Sequence, residues 1–98
     1  MLKFKVQRNG TVKLFDSCEV SKKDFEKEIN EVRQAVPELP VWSRSMKSLR
    51  REWAAHNLAY KLGIRRSKTH DVDFDYPQAW FSKFYYWVIG NIALMLIK

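Results

Sequence analysis

The sequence is poorest in the residues that lock a chain or cradle a ligand. It holds one cysteine, Cys18, so no disulfide can close within the chain and no four-cysteine zinc site can be built. Cysteine use of this kind fits a reducing, cytoplasmic setting. The three glycines stand apart at 10, 63 and 90, which excludes a glycine-rich phosphate loop. The two histidines, His56 and His70, limit imidazole chemistry to those positions. No continuous apolar run occurs before residue 84, and the opening MLKFKVQRNG alternates charged and apolar residues rather than forming the apolar region of a signal peptide. Nothing marks Cys18 as a nucleophile, and no reaction signature is present. The sequence calls for no cofactor, and the chain is expected to be non-enzymatic.

What is present is charge and apolar surface. Apolar residues make up 46% of the 98, and aromatics 14%, enough for one small domain with a modest core. Lys and Arg number 18 against 11 acids, a net charge of +7. Residues 42–68, WSRSMKSLRREWAAHNLAYKLGIRRSK, carry eight of the bases and one acid, Glu52, so this stretch alone accounts for the whole excess. A surplus of this size favours an anionic macromolecule as partner, nucleic acid or an acidic protein. The candidate contacts are Arg44, Lys47, Arg50, Arg51, Arg65, Arg66 and Lys68. A plain solvated face is the alternative use of such an arc.

The pattern along the chain predicts an α+β domain in the order β-β-α-α-β-α. Leu2, Phe4 and Val6 alternate with Lys3, Lys5 and Gln7, and Val12 and Leu14 alternate with Thr11 and Lys13. A three-residue loop, Arg8-Asn9-Gly10 with Gly10 left-handed, sets Val6 against Val12 and Phe4 against Leu14, keeping the apolar residues on one face. Ser21 and Asp24 form a variant capping box, and Val20 and Phe25 a hydrophobic staple, at the head of a helix over 21–36. Its stripe is Phe25, Ile29, Val32 and Val36, and Pro37 and Pro40 end it. A second helix is expected from about Ser43 to Leu62, stopped by Gly63. Trp42, Met46, Leu49, Trp53 and Tyr60 share one line on it, with His56 and Asn57 beside them. Leu58 and Leu62 lie nearly opposite Tyr60, so its C-terminal part should be covered on two sides.

HDVDFDY, residues 70–76, alternates as a strand. Beside the hairpin it would set Asp71, Asp73 and Asp75 on the face of Lys3, Lys5 and Lys13. Those carboxylates suit a hard cation, but the glycine and glutamate that a calcium loop needs are replaced by Tyr76 and Ser82. Glu52 and His56 form an i,i+4 pair that could share a metal, with His70 and Cys18 as the remaining residues to supply further donors; no metal is expected. Residues 78–98 read as a helix whose run 84–97 is apolar all round, so it is core, an interface between copies, or membrane contact. At fourteen residues it is short for a bilayer span. The expectation is that it packs on the Trp42, Met46, Leu49 and Trp53 stripe, with surplus apolar surface joining copies of the chain. A membrane-associated or oligomeric adaptor is thus the alternative function. Residues 52–77, EWAAHNLAYKLGIRRSKTHDVDFDYP, resemble a run found in small uncharacterised bacterial proteins, some on mobile elements. The resemblance carries no chemistry; it implies a bacterial or phage setting, with an accessory protein that binds a host protein as a third reading.

Overall fold

A computed structural model describes residues 3–8, 11–35, 45–73 and 80–97. Six elements follow in the expected order: β1 (Lys3–Val6), β2 (Thr11–Phe15), α1 (Lys22–Ala35), α2 (Met46–Lys61), β3 (His70–Asp73) and α3 (Trp80–Leu96). The fold is α+β.

The strands form one antiparallel sheet in the order β1-β2-β3. Phe4 pairs with Leu14 and Val6 with Val12, the register that keeps apolar residues together. Gly10 lies outside the described residues. β3 joins the other edge of β2, with Val72 opposite Val12 and Asp71 opposite Lys13. Lys13 therefore sits between Lys5 and Asp71, the cross-strand charge pairing expected of a third strand. Phe74, Asp75 and Tyr76 lie outside the described residues. The inner face, with Val12, Leu14 and Val72 fully buried, packs on the helices.

After β2 the chain turns sharply at Asp16, whose φ is 61°, a left-handed conformation that Asp tolerates better than most residues. The turn drives Ser17 and Cys18 into the interior. Buried backbone there needs partners, and α2 supplies them. Trp53 Nε1 donates to the Ser17 carbonyl at 2.7 Å, and Asn57 Nδ2 to the Cys18 carbonyl at 3.1 Å.

Ser21 caps α1 through its hydroxyl, which accepts from the Asp24 N–H at 3.2 Å. Phe25, Ile29 and Val32 are buried as the stripe requires, with Phe25 stacked on Trp53 at a centroid distance of 5.3 Å. Val36 lies outside the described residues. α2 begins later than Ser43: Ser45 is extended and caps it, accepting from the Ser48 N–H at 3.2 Å. Its other end is as expected. Gly63, at φ 79°, donates to the Tyr60 carbonyl and Ile64 to the Ala59 carbonyl, a Schellman stop.

α3 packs along α2, and its Ala93 belongs to the buried cluster that holds Leu49 and Trp53, with Met46, Leu94 and Ile97 packed against it. Trp53 is taken up by α1 and the β2–α1 turn. α3 also reaches a second side of α2: Gly90 lies against the backbone of Arg51, about 160° around α2 from Trp53 at 100° per residue. A side-chain carbon on Gly90 would lie 2.6 Å from the Arg51 carbonyl oxygen, so only glycine permits this approach. Trp42 lies outside the described residues. The expected double cover of the end of α2 holds for Leu58, which packs on the core, and fails for Leu62, which is 65% exposed.

Candidate functional site

The basic residues of the predicted arc have different partners. Arg50 is half-buried and ion-paired with Glu26 of α1. Arg51, its neighbour in sequence, lies against α3 at Gly90. Arg65 turns inward, donating to His56 Nδ1 at 3.0 Å and to the Thr69 carbonyl at 2.7 Å. Lys68 is 3.5 Å from Glu19, which also accepts from the Tyr60 hydroxyl at 2.8 Å. Lys47 and Arg66 are exposed. Arg44 lies outside the described residues. Among the described residues the arc is not left open as one face: α1 meets it at Arg50 and α3 at Arg51, while the turn after β2 packs on another side of α2.

One cluster does converge. Glu52 and His56, one turn apart on α2, meet His70 of β3, and one donor atom from each lies within 4.8 Å of the other two. His70 reaches them because β3 pairs beside β2 with His70 opposite Leu14, on the buried face of the sheet. The His56 and His70 ring centroids are 4.1 Å apart, and His70 Nε2 is 3.6 Å from Glu52 Oε1. His70 is 2% exposed, and neither of its ring nitrogens has a hydrogen bond. His56 is held on both sides. A guanidinium only donates, so the contact with Arg65 makes Nδ1 the acceptor, and Nε2 carries the proton toward the Tyr86 hydroxyl oxygen 3.2 Å away. The ring is neutral, and burial, followed by the charges of His70 and Arg65, lowers its pKa to about 3. The sequence exposed the Glu52–His56 spacing and named His70; Tyr86 and the inward turn of Arg65 left no signal in it. Cys18, the other donor considered, is outside this cluster among the described residues, and burial raises its thiol pKa.

The outer side of α3 is the second feature. Trp80, Phe81, Phe84, Tyr85, Trp87, Ile92, Met95 and Leu96 are all about half exposed or more, up to 80% for Trp80. At 100° per residue they span about half of the helix circumference, from Trp87 through Trp80 and Phe84 to Leu96. Asn91, within that arc, turns its amide onto the Trp87 carbonyl. The buried side is made of Gly90 and Ala93, with Tyr86 reaching His56. No helix among the described residues is long and apolar enough to cross a membrane. No family model, curated protein or solved structure matches the chain.

Proposed function

We propose that this is a non-enzymatic binding protein that docks on an anionic lipid surface through the outer face of α3. The observation that carries the reading is that half-cylinder of exposed aromatic and aliphatic side chains in a chain of net charge +7. A single packed helix covers a stripe of about 100°, so a face this wide exceeds what one helix of a second copy would bury. Partial immersion in the headgroup region covers a half-cylinder at once. At 17 residues α3 is about 25 Å long, suited to lie in the interface plane. Trp and Tyr favour that depth, and Lys83, the one charged residue on the helix, can extend its ammonium to the headgroups. Asn91 already satisfies its amide N–H within the helix, which lowers the cost of burying it. The net positive charge supplies attraction to anionic lipid, about 1 kcal/mol for each base that reaches the surface, and opposes close pairing of two copies.

Co-sedimentation with vesicles tests this. The chain is expected to bind vesicles with about 30% anionic lipid, to bind zwitterionic ones less, and to weaken as salt rises from about 0.1 to 0.5 M. Trp80→Glu and Phe84→Glu, at exposed positions, should each abolish most binding while leaving the circular dichroism spectrum unchanged. No vesicle binding beside a stable dimer in solution would replace lipid with a second copy. No vesicle binding beside salt-dependent binding of a DNA duplex would return the reading to phosphate recognition by Lys47, Arg66 and their neighbours.

A further inference from the structure

We infer that Glu52, His56 and His70 form a binding site for a late first-row divalent metal, zinc above all. Two imidazoles and one carboxylate are a borderline nitrogen and oxygen donor set, suited to zinc and poorly suited to magnesium or calcium. The three donors come from two elements, so the ion would clamp α2 to the edge strand β3. The approach is already close: one donor atom from each residue lies within 4.8 Å of the others. Tetrahedral zinc with bonds of about 2.0–2.1 Å sets its donors about 3.3 Å apart, so the site needs to contract by about 1.5 Å at most. His70 is the independent sign of a ligand. It is an imidazole at 2% exposure with both nitrogens unbonded, an arrangement that costs free energy unless something occupies it.

Arg65 is the resident cation at this site. Its guanidinium sits 3.0 Å from His56 Nδ1 and is also held by the Thr69 carbonyl. Binding of zinc through Nδ1 displaces Arg65 and leaves Nε2–H donating to Tyr86, the outer hydrogen bond that orients a metal-bound histidine. One coordination position remains for water. Arg65 follows α2 on a loop and is half-buried, so it can leave without unfolding an element.

The test uses the metal-stripped full chain. Zinc titration should show one site per chain and raise the thermal midpoint, and cobalt should give the visible bands of tetrahedral nitrogen and oxygen coordination without thiolate charge transfer. Because His56 and His70 are the only histidines, no other imidazole competes. His56→Gln and His70→Gln should each weaken zinc at least about 100-fold. If His70→Gln fails to fold, Arg65→Ala decides. Zinc would no longer have to break the hydrogen bond from the Arg65 guanidinium to His56, a charged bond of about 1.5 kcal/mol, so it should bind about tenfold more tightly. Three results would overturn the site: no saturable zinc binding by the parent, affinity unchanged in a folded His56→Gln, or Arg65→Ala weakening zinc.

Discussion

Gly90→Ala should destabilise the protein, although the same change in an open helix stabilises it. The added carbon would stand 2.6 Å from the Arg51 carbonyl oxygen, 2.7 Å from its Cβ and 2.9 Å from its carbonyl carbon. Carbon contacts are comfortable at about 3.5 Å or more, so the two helices must part by nearly 1 Å. Two of those three atoms are backbone in the middle of α2 and cannot yield alone. A gap of about 0.5–1 Å forfeits a quarter to a half of the dispersion energy across the contact, which here includes the buried Ala93. Overpacking of this kind costs about 1–3 kcal/mol, and replacing a helical glycine with alanine returns about 1 kcal/mol. With backbone atoms this close the cost falls in the upper half of its range, leaving a net loss of about 1–2 kcal/mol. For a domain of this size that lowers the thermal midpoint by about 5–10 °C. Thermal unfolding followed by circular dichroism measures it, and Gly90→Val should lose more. A Gly90→Ala midpoint equal to or above the parent would mean that α3 does not approach α2 at Arg51.

Two further outcomes follow from the interior. Trp53→Phe removes the N–H that satisfies the buried Ser17 carbonyl and should cost about 2–3 kcal/mol in urea unfolding, with a near-parental stability counting against that bond. The Cys18 thiol, fully buried and with its pKa raised by that burial, should react with a disulfide reagent at least about 100-fold more slowly in the native chain than in denaturant; rapid native reaction would place it at the surface.

Much of the fold was legible because it is written in local alternation. Of a two-residue and a three-residue loop, only the three-residue one puts Phe4, Val6, Val12 and Leu14 on a single face, and its register is present. Ser21 with Asp24, and Gly63 with Tyr60, are short-range backbone chemistry that the residue types announce. α2 starts two or three residues beyond Ser43 because Ser45, an equally good cap by type, is extended and caps it. Less of the site could be read. The arc of Arg44, Lys47, Arg50 and Arg51 looks continuous on an isolated helix. It is divided once α1 offers Glu26 to Arg50 and α3 closes on Arg51. Glu52 and His56 were visible as a pair by spacing, whereas the arrival of His70 depends on β3 choosing the β2 edge, and that of Tyr86 on the side of α2 that α3 takes. The outer face of α3 shows the same limit. A run apolar all round does not say which half the fold covers, and the small residues Gly90 and Ala93 turned out to mark it.

The most direct measurement of the proposed lipid contact is tryptophan quenching by lipids brominated along the acyl chain, mixed with anionic lipid. A variant with Trp42 and Trp53 changed to Phe reports Trp80 and Trp87 alone; a second, with Trp42, Trp80 and Trp87 changed to Phe, keeps the buried Trp53 alone as the control. Strong quenching of the first at shallow bromine positions, with little in the second, is the predicted result. Equal or absent quenching in both, with the chain bound to the vesicles, would show that α3 does not face the lipid.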